Sequence, residues 1–185
     1  MKPFCQTDFT GRILALNCLT ARGFKAWVVQ PGMGFADPGQ WWGAAKARPS
    51  PHEGLDLRAF RDKDNNEQPL PAGTIVPPLF RGRVVRIVAD FLGRTIIVDH
   101  GNGNRAGPGL YGFYAHLNPL ATVTVGTDLK EDEGLGTIAA GNLSCPPHLH
   151  LSTVWIGRDF PLAQVGWADF TARPGFQPCD PLLFL

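Results

Sequence analysis

Arg83-Val84-Val85-Arg86-Ile87-Val88-Ala89, followed after a short connection by Arg94-Thr95-Ile96-Ile97-Val98-Asp99, decides the fold class of this 185-residue chain. Val, Ile and Thr dominate both runs, and β-branched side chains fit a pleated surface better than a helix. The same signal recurs on either side. Gly73-Thr74-Ile75-Val76 ends at Pro77-Pro78, Leu110 to Leu117 follows a Gly/Asn/Pro loop at 101–109, and Thr122-Val123-Thr124-Val125-Gly126 alternates cleanly. Arg61 to Gln68 is polar and aperiodic, which predicts a surface loop. No helical period separates the strands. The expectation is therefore a mainly β domain, an antiparallel sheet or sandwich with few short helices.

Composition agrees and excludes several functions. Hydrophobic residues make up 44% of the chain, enough for a core, and Gly 22 and Pro 17 suit a turn-rich β architecture. A net charge of +1, with no basic run interleaved with aromatics, excludes a nucleic-acid surface. No apolar run approaches the ~20 residues that a transmembrane helix requires. Ile13-Leu14-Ala15-Leu16 is a poor signal peptide, being short, preceded by Asp8 and interrupted by Asn17. Cys5, Cys18, Cys145 and Cys179 allow three pairings, of which Cys145–Cys179 suits an oxidising compartment. Cys145-Pro146-Pro147-His148 has C-x-x-H spacing but lacks the second Cys-rich half of a structural zinc site.

The chain divides into three parts. Residues 1–50 carry Phe24, Trp27, Trp41 and Trp42 between Pro-Gly breaks, which predicts short strands and packed loops. Ala44-Ala45-Lys46-Ala47 is at most a helical turn, and the Trp pair reads as core or wall. Residues 51–159 hold the strand series. Residues 160–185 are rich in Pro, Gly and aromatics and read as an irregular tail on the sheet.

Titratable residues cluster in the central part. In Pro147-His148-Leu149-His150-Leu151 a strand places His148 and His150 on one face, about 6.5–7 Å apart, with the leucines turned to a core. Such a pair suits a metal site, with one ring ligating while the other handles a proton, and equally suits the exposed face of an amphipathic strand. His52 and Asp56 would stand about 13 Å apart in a straight strand, so they share a site only if the chain bends near Glu53-Gly54. In Tyr114-Ala115-His116-Leu117 alternation puts Tyr114 and His116 together. His100 ends a strand beside a Gly-rich turn, which suggests a solvated or turn-capping role.

Taken in order, His52-x-x-x-Asp56, Tyr114-Ala115-His116-Leu117 and Pro147-His148-Leu149-His150 resemble the lysostaphin-type zinc metallopeptidases. The context matches as well: Gly82-Arg83-Val84-Val85 and Ile97-Val98-Asp99-His100-Gly101 precede the second motif, and Thr124-Val125-Gly126 follows it. The resemblance covers Pro51 to Trp155. It implies a groove floored by the sheet and walled by loops, one Zn2+ held by His52, Asp56 and His150, and proton handling by His116 and His148. Three protein ligands leave the fourth tetrahedral position of zinc to water, whose pKa the metal lowers towards ~7.

The implied function is a zinc endopeptidase acting on bacterial peptidoglycan, in its stem peptides or cross-bridges, in the cell envelope, periplasm or exterior. Two alternatives stand beside it: a catalytically silent wall-binding regulator, and a phage lysin or bacteriocin-type peptidase. The chain departs from the family where Leu143-Ser144-Cys145-Pro146 replaces a run of small residues, and residues 41–51 lack the Tyr that assists the oxyanion in some members. Glu53 matches no family role. Residues 1–50 match nothing in the family, and they either pack on the fold or cover its groove.

Overall fold

The computed structural model describes residues 6–44, 47–101, 107–157, 159–171 and 173–185. In chain order the elements are helix α1 (Phe9–Leu16) and strands β1 (Ala26–Trp27), β2 (Leu55–Leu57), β3 (Ala59–Arg61), β4 (Glu67–Pro69), β5 (Ile75–Val76), β6 (Gly82–Ala89), β7 (Arg94–Asp99), β8 (Gly109–Pro119), β9 (Asp128–Leu129), β10 (Gly136–Ile138), β11 (Leu149–Ile156) and β12 (Phe176–Cys179). The β-branched runs Arg83 to Ala89 and Arg94 to Asp99 form the antiparallel pair β6–β7. They belong to a nine-stranded sheet with the order β12-β11-β8-β7-β6-β9. β2 adds to β11, and β10 joins β8 to β5. A separate three-stranded sheet, β1-β3-β4, completes the β structure.

Each face of the large sheet buries its own apolar set, as alternation along the strands requires. Ile96, Val98, Tyr114, Leu149 and Leu151 point to one side, where Phe9, Ile13 and Leu14 of α1 and Phe60 of β3 cover them. Ile97, Phe113, Val154 and Ile156 point to the other, against Val165, Phe176 and the tail aromatics Trp167 and Phe170. Ile13-Leu14, weak as a leader, is thus the buried stripe of a short amphipathic helix.

Several local expectations change. Residues 121–126 form turns, and the strand that follows them is the short β9. Thr127 Oγ1 accepts from Thr124 N at 3.0 Å and Gly126 takes φ +94°, so local bonds replace a ladder that alternation alone suggested. The polar stretch at 61–68 is a hairpin turn between β3 and β4, organised by Asp62 Oδ1, which accepts from Asp64 N and Asn66 N. Cys18, Cys145 and Cys179 are free thiols, so no Cys145–Cys179 bridge forms. Cys5 and part of the Ala44–Ala47 stretch lie outside the described residues.

Tyr114 does not share a face with His116. The β7–β8 register shifts between Arg94 and Ile96, and His116 takes φ +63°, so a bulge breaks strict alternation. Tyr114 turns into the first core, where its hydroxyl accepts from Leu79 N at 2.7 Å and lies 3.0 Å from His100 Nε2. His100 is therefore a buried partner of the core, with Nδ1 3.2 Å from Arg81 O. The arrangement suits a neutral ring that gives its Nδ1–H to Arg81 O and receives the Tyr114 O–H.

Burial pushes His100 down to about 4, against the upward pull of the Arg81 and Phe80 carbonyls. The unfolded ring titrates near 6.5, so between those values the unfolded state binds more protons and stability falls as pH falls. Removing the ring takes away the folded-state bonds but also this acid penalty. The stability advantage of the parent over His100→Asn should shrink by about 3 kcal/mol between pH 6.5 and 4. Urea unfolding at stepped pH measures it, and a difference that does not vary with pH would contradict the buried neutral ring.

Candidate metal and catalytic site

The site forms where β2 meets β11. Pro51 leads into His52, the chain bends at Glu53-Gly54, and Leu55–Leu57 then pairs with β11 so that His150 faces Asp56. The bend is what lets His52 and Asp56 turn inward together. It depends on Gly54 lacking a side chain: a Cβ there would lie 2.5 Å from Leu151 O and Ser152 Oγ and 2.8 Å from His150 Nε2.

Three ligand-type atoms converge. His150 Nδ1 lies 2.8 Å from Asp56 Oδ1 and 3.1 Å from His52 Nε2, and His52 Nε2 lies 3.4 Å from Asp56 Oδ1. All three residues are buried, and they are the metal-competent cluster among the described residues. His52 Nδ1 sits 2.9 Å from Gly34 O, an atom that can only accept, so Nδ1 carries the hydrogen and Nε2 offers a lone pair. Ser152 Oγ, 2.9 Å from His150 Nε2, occupies the other nitrogen of that ring. Burial pushes His150 below its ordinary value, with Asp56 pulling it up, which favours the ligating neutral form. At Asp56 burial works upward, but the close imidazoles of His150 and His52 outweigh it and hold the carboxyl well below the usual range.

Two neutral imidazoles and a carboxylate facing one point is a donor set for a divalent cation. Zinc bonds of about 2.0–2.2 Å in tetrahedral array place ligand atoms roughly 3.3 Å apart, and the observed separations of 2.8, 3.1 and 3.4 Å lie at or a little below that spacing. The residues present fit Zn2+. Partners outside the cluster orient them, as outer-shell groups do in metal sites. Asp56 Oδ2 accepts from Trp41 Nε1 at 2.6 Å and from Arg48 Nη2 at 3.4 Å, which leaves Oδ1 for the cluster.

The remaining two histidines stand beside it. His148 Nδ1 lies 2.8 Å from Pro146 O and its Nε2 is 3.7 Å from Asp56 Oδ1. Trp41 meets the ring edge-on at 5.1 Å. Burial pushes His148 down to about 4 although Asp56 and Pro146 pull it up, so the ring is neutral at neutral pH. His116 lies 4.8 Å from His148 and 5.9 Å from His150, centroid to centroid, and its Nδ1 is 3.0 Å from Asp90 Oδ1. The bulge that removes Tyr114 from this face is what keeps His116 on it. A cleft of about 250 Å³ opens over these groups, walled by Trp42, Phe91 and Trp167, with Glu53 at its edge.

The structure thus brings Asp56, His116, His148 and His150 to one cleft, with His52 buried beside it against Asp56 and His150. Trp41, Arg48, Asp90, Ser152 and Trp167 were not singled out as site residues from sequence. Ser152 was findable, since it follows His150 by two on the same strand face. The others reach the site through tertiary contacts that leave no spacing signal.

The sequence profile of peptidase family M23 matches residues 50–160, more than half of the chain. The chain belongs to peptidase family M23. Its fold is similar to that of LytU, with a TM-score of 0.51 at 19% identity, covering 85% of this chain and 83% of that one. It is also similar to the catalytic domain of the antimicrobial peptidase lysostaphin from Staphylococcus simulans, with a TM-score of 0.50 at 18% identity over 86% of this chain and 96% of that one. No match was found among curated proteins. The M23 profile ends close to where the second apolar set begins to draw on the tail, so Trp41, Arg48 and Trp167 are site residues contributed from outside the matched segment. No described helix is long and apolar enough to cross a membrane.

Gly54→Ala should force His150 or β11 to shift. We expect a loss of about 2–3 kcal/mol in unfolding free energy and less zinc bound per chain. Denaturant unfolding and metal analysis measure the two, and parental values for both would contradict the tight approach of Gly54 to β11.

Proposed function

We propose that the chain is a zinc-dependent endopeptidase that hydrolyses peptide bonds in bacterial cell-wall peptidoglycan, in its stem peptides or cross-bridges. The observation that carries the reading is the convergence of His52 Nε2, Asp56 Oδ1 and His150 Nδ1, with two further imidazoles on the same cleft. His52, Asp56 and His150 hold the metal in this reading. When bound, zinc polarises the peptide carbonyl and acidifies the attacking water.

The protein's own groups do the rest. Trp41 and Arg48 hold Asp56 Oδ2 so that the carboxylate keeps one orientation. Gly34 O holds the His52 tautomer. His116 and His148 line the cleft and each has Nδ1 engaged, which leaves Nε2 to act, so one can take a proton from water while the other meets the carbonyl oxygen or the leaving amine. Trp42, Phe91 and Trp167 narrow the cleft and exclude water around the reacting bond, which favours small residues beside it. Action on peptidoglycan places the protein in the cell envelope or outside the cell.

Purified chain incubated with intact sacculi should release fragments bearing new amine and carboxyl termini, read by mass spectrometry. His148→Ala should keep zinc and lose at least about 100-fold in turnover, whereas His150→Ala should lose both. Equal zinc content in His150→Ala and the parent would overturn the ligand assignment. No release by the zinc-loaded parent would overturn the substrate.

A further inference from the structure

We propose that Asp90 is a positioning residue that makes His116, and not His148, the side chain that accepts the proton of the attacking water. The inference rests on the peptidase reading for the reaction it serves, but the pairing itself stands on geometry. Asp90 directly follows β6 in the turn to β7, a place that resembles no motif in the sequence. Its buried carboxylate collects donors from three segments. Oδ1 accepts from Leu92 N at 2.9 Å, from Gly93 N at 2.8 Å and from His116 Nδ1 at 3.0 Å. Oδ2 accepts from Thr95 Oγ1 and from His116 N, both at 2.9 Å.

This one side chain therefore grips His116 twice, at the backbone and at the ring. The backbone grip matters because His116 has φ +63°, a left-handed conformation that costs a non-glycine residue about 1 kcal/mol or more. The bond from His116 N to Asp90 offsets that cost and fixes the bulge that turns the ring to the cleft. The ring grip fixes the tautomer. An ionised carboxylate can only accept, so Nδ1 carries the hydrogen and Nε2 presents its lone pair. Phe91, the next residue, meets the ring edge-on at 4.7 Å and blocks rotation away.

His148 differs in the partner of the same nitrogen. Its Nδ1 faces a neutral carbonyl, Pro146 O, and not a carboxylate. A proton arriving at Nε2 leaves either ring cationic, and only at His116 does a full negative charge stand 3.0 Å from the opposite nitrogen. The balance is simple: the O–H bond of water breaks, its electron pair stays on oxygen for attack at the carbonyl carbon, and the proton forms a bond to His116 Nε2. His148 is then left to hydrogen-bond the carbonyl oxygen or the leaving nitrogen.

The test uses the full-length chain with ¹⁵N-labelled histidine, with His116→Gln identifying the His116 signals. In the parent, His116 should show a protonated Nδ1 and an unprotonated Nε2, and Asp90→Asn should convert this to a mixture of tautomers. Against sacculi fragments, Asp90→Asn should lower kcat at least about 100-fold while KM and zinc content stay within twofold. A role confined to closing the turn would move stability and leave ring tautomer and kcat together unchanged. A mixed tautomer in the parent, or a kcat within threefold in Asp90→Asn with parental zinc, overturns the proposal. If Asp90→Asn fails to fold, the parent tautomer alone decides. If the parent cleaves nothing, the peptidase reading and the proton-accepting role fail together, while the tautomer still shows whether Asp90 fixes the ring.

Discussion

Two imidazole nitrogens and a carboxylate oxygen held within hydrogen-bond distance of each other, in a buried place, form an arrangement that does not stabilise itself. With Nδ1–H of His52 committed to Gly34 O, its Nε2 has a lone pair and no hydrogen to share with His150 or Asp56. Facing lone pairs in low dielectric repel, and a cation between them would turn that repulsion into attraction. The surrounding structure is consistent with a site that must be imposed. Gly54 lets β2 approach β11, Trp41 and Arg48 secure the far oxygen of Asp56, and Ser152 engages the far nitrogen of His150.

The rigidity needed for this comes from the sheet. β11 is paired along its length with β8 and, at its ends, with β2 and β12, so His148 and His150 sit at and beside a fully hydrogen-bonded strand. Apolar sets on both faces lock it further. The face that carries the histidines is not separate from the core. Trp167 packs edge-on against His150 at 5.2 Å and against Phe113 at 5.6 Å, and its Nε1 donates to Thr95 Oγ1, which in turn donates to Asp90. Packing in the tail is therefore mechanically connected to Asp90 and the histidines of the cleft.

The N-terminal part shapes the same cleft. Trp41 and Trp42 lie on different surfaces of one wall: Trp41 touches Asp56 and His148, while Trp42 stacks obliquely on Phe91 at 5.8 Å. An aromatic pair that reads as packing mass in sequence is thus packing mass in which Trp41 also fixes the Asp56 carboxylate. The family's small-residue approach to the His-x-His strand is replaced here by a turn in which Asn142 Oδ1 accepts from Ser144 N and Cys145 N. Pro146 O then meets His148 Nδ1, and this backbone carbonyl sets the His148 tautomer.

Sequence alone determined whatever depends on neighbours along the chain. The β-branched runs specified strands, period two put His148 and His150 on one face, and the ordered motifs named five residues that the fold brings close together. A contact between residues far apart in sequence follows no period, and there the tertiary structure decided. His52 meets His150 across 98 positions and Asp90 meets His116 across 26. It also decided where local pattern misled. The bulge at His116 reversed the face assigned to Tyr114, Thr127 and Gly126 turned an alternating run into a loop, and the Tyr114 hydroxyl and Arg81 carbonyl hold His100 inside. The physical reason is common to all three. A one-residue change of register or a single satisfied hydrogen bond redirects a side chain by a full face, at a cost of only about 1 kcal/mol that packing elsewhere in the fold overrides.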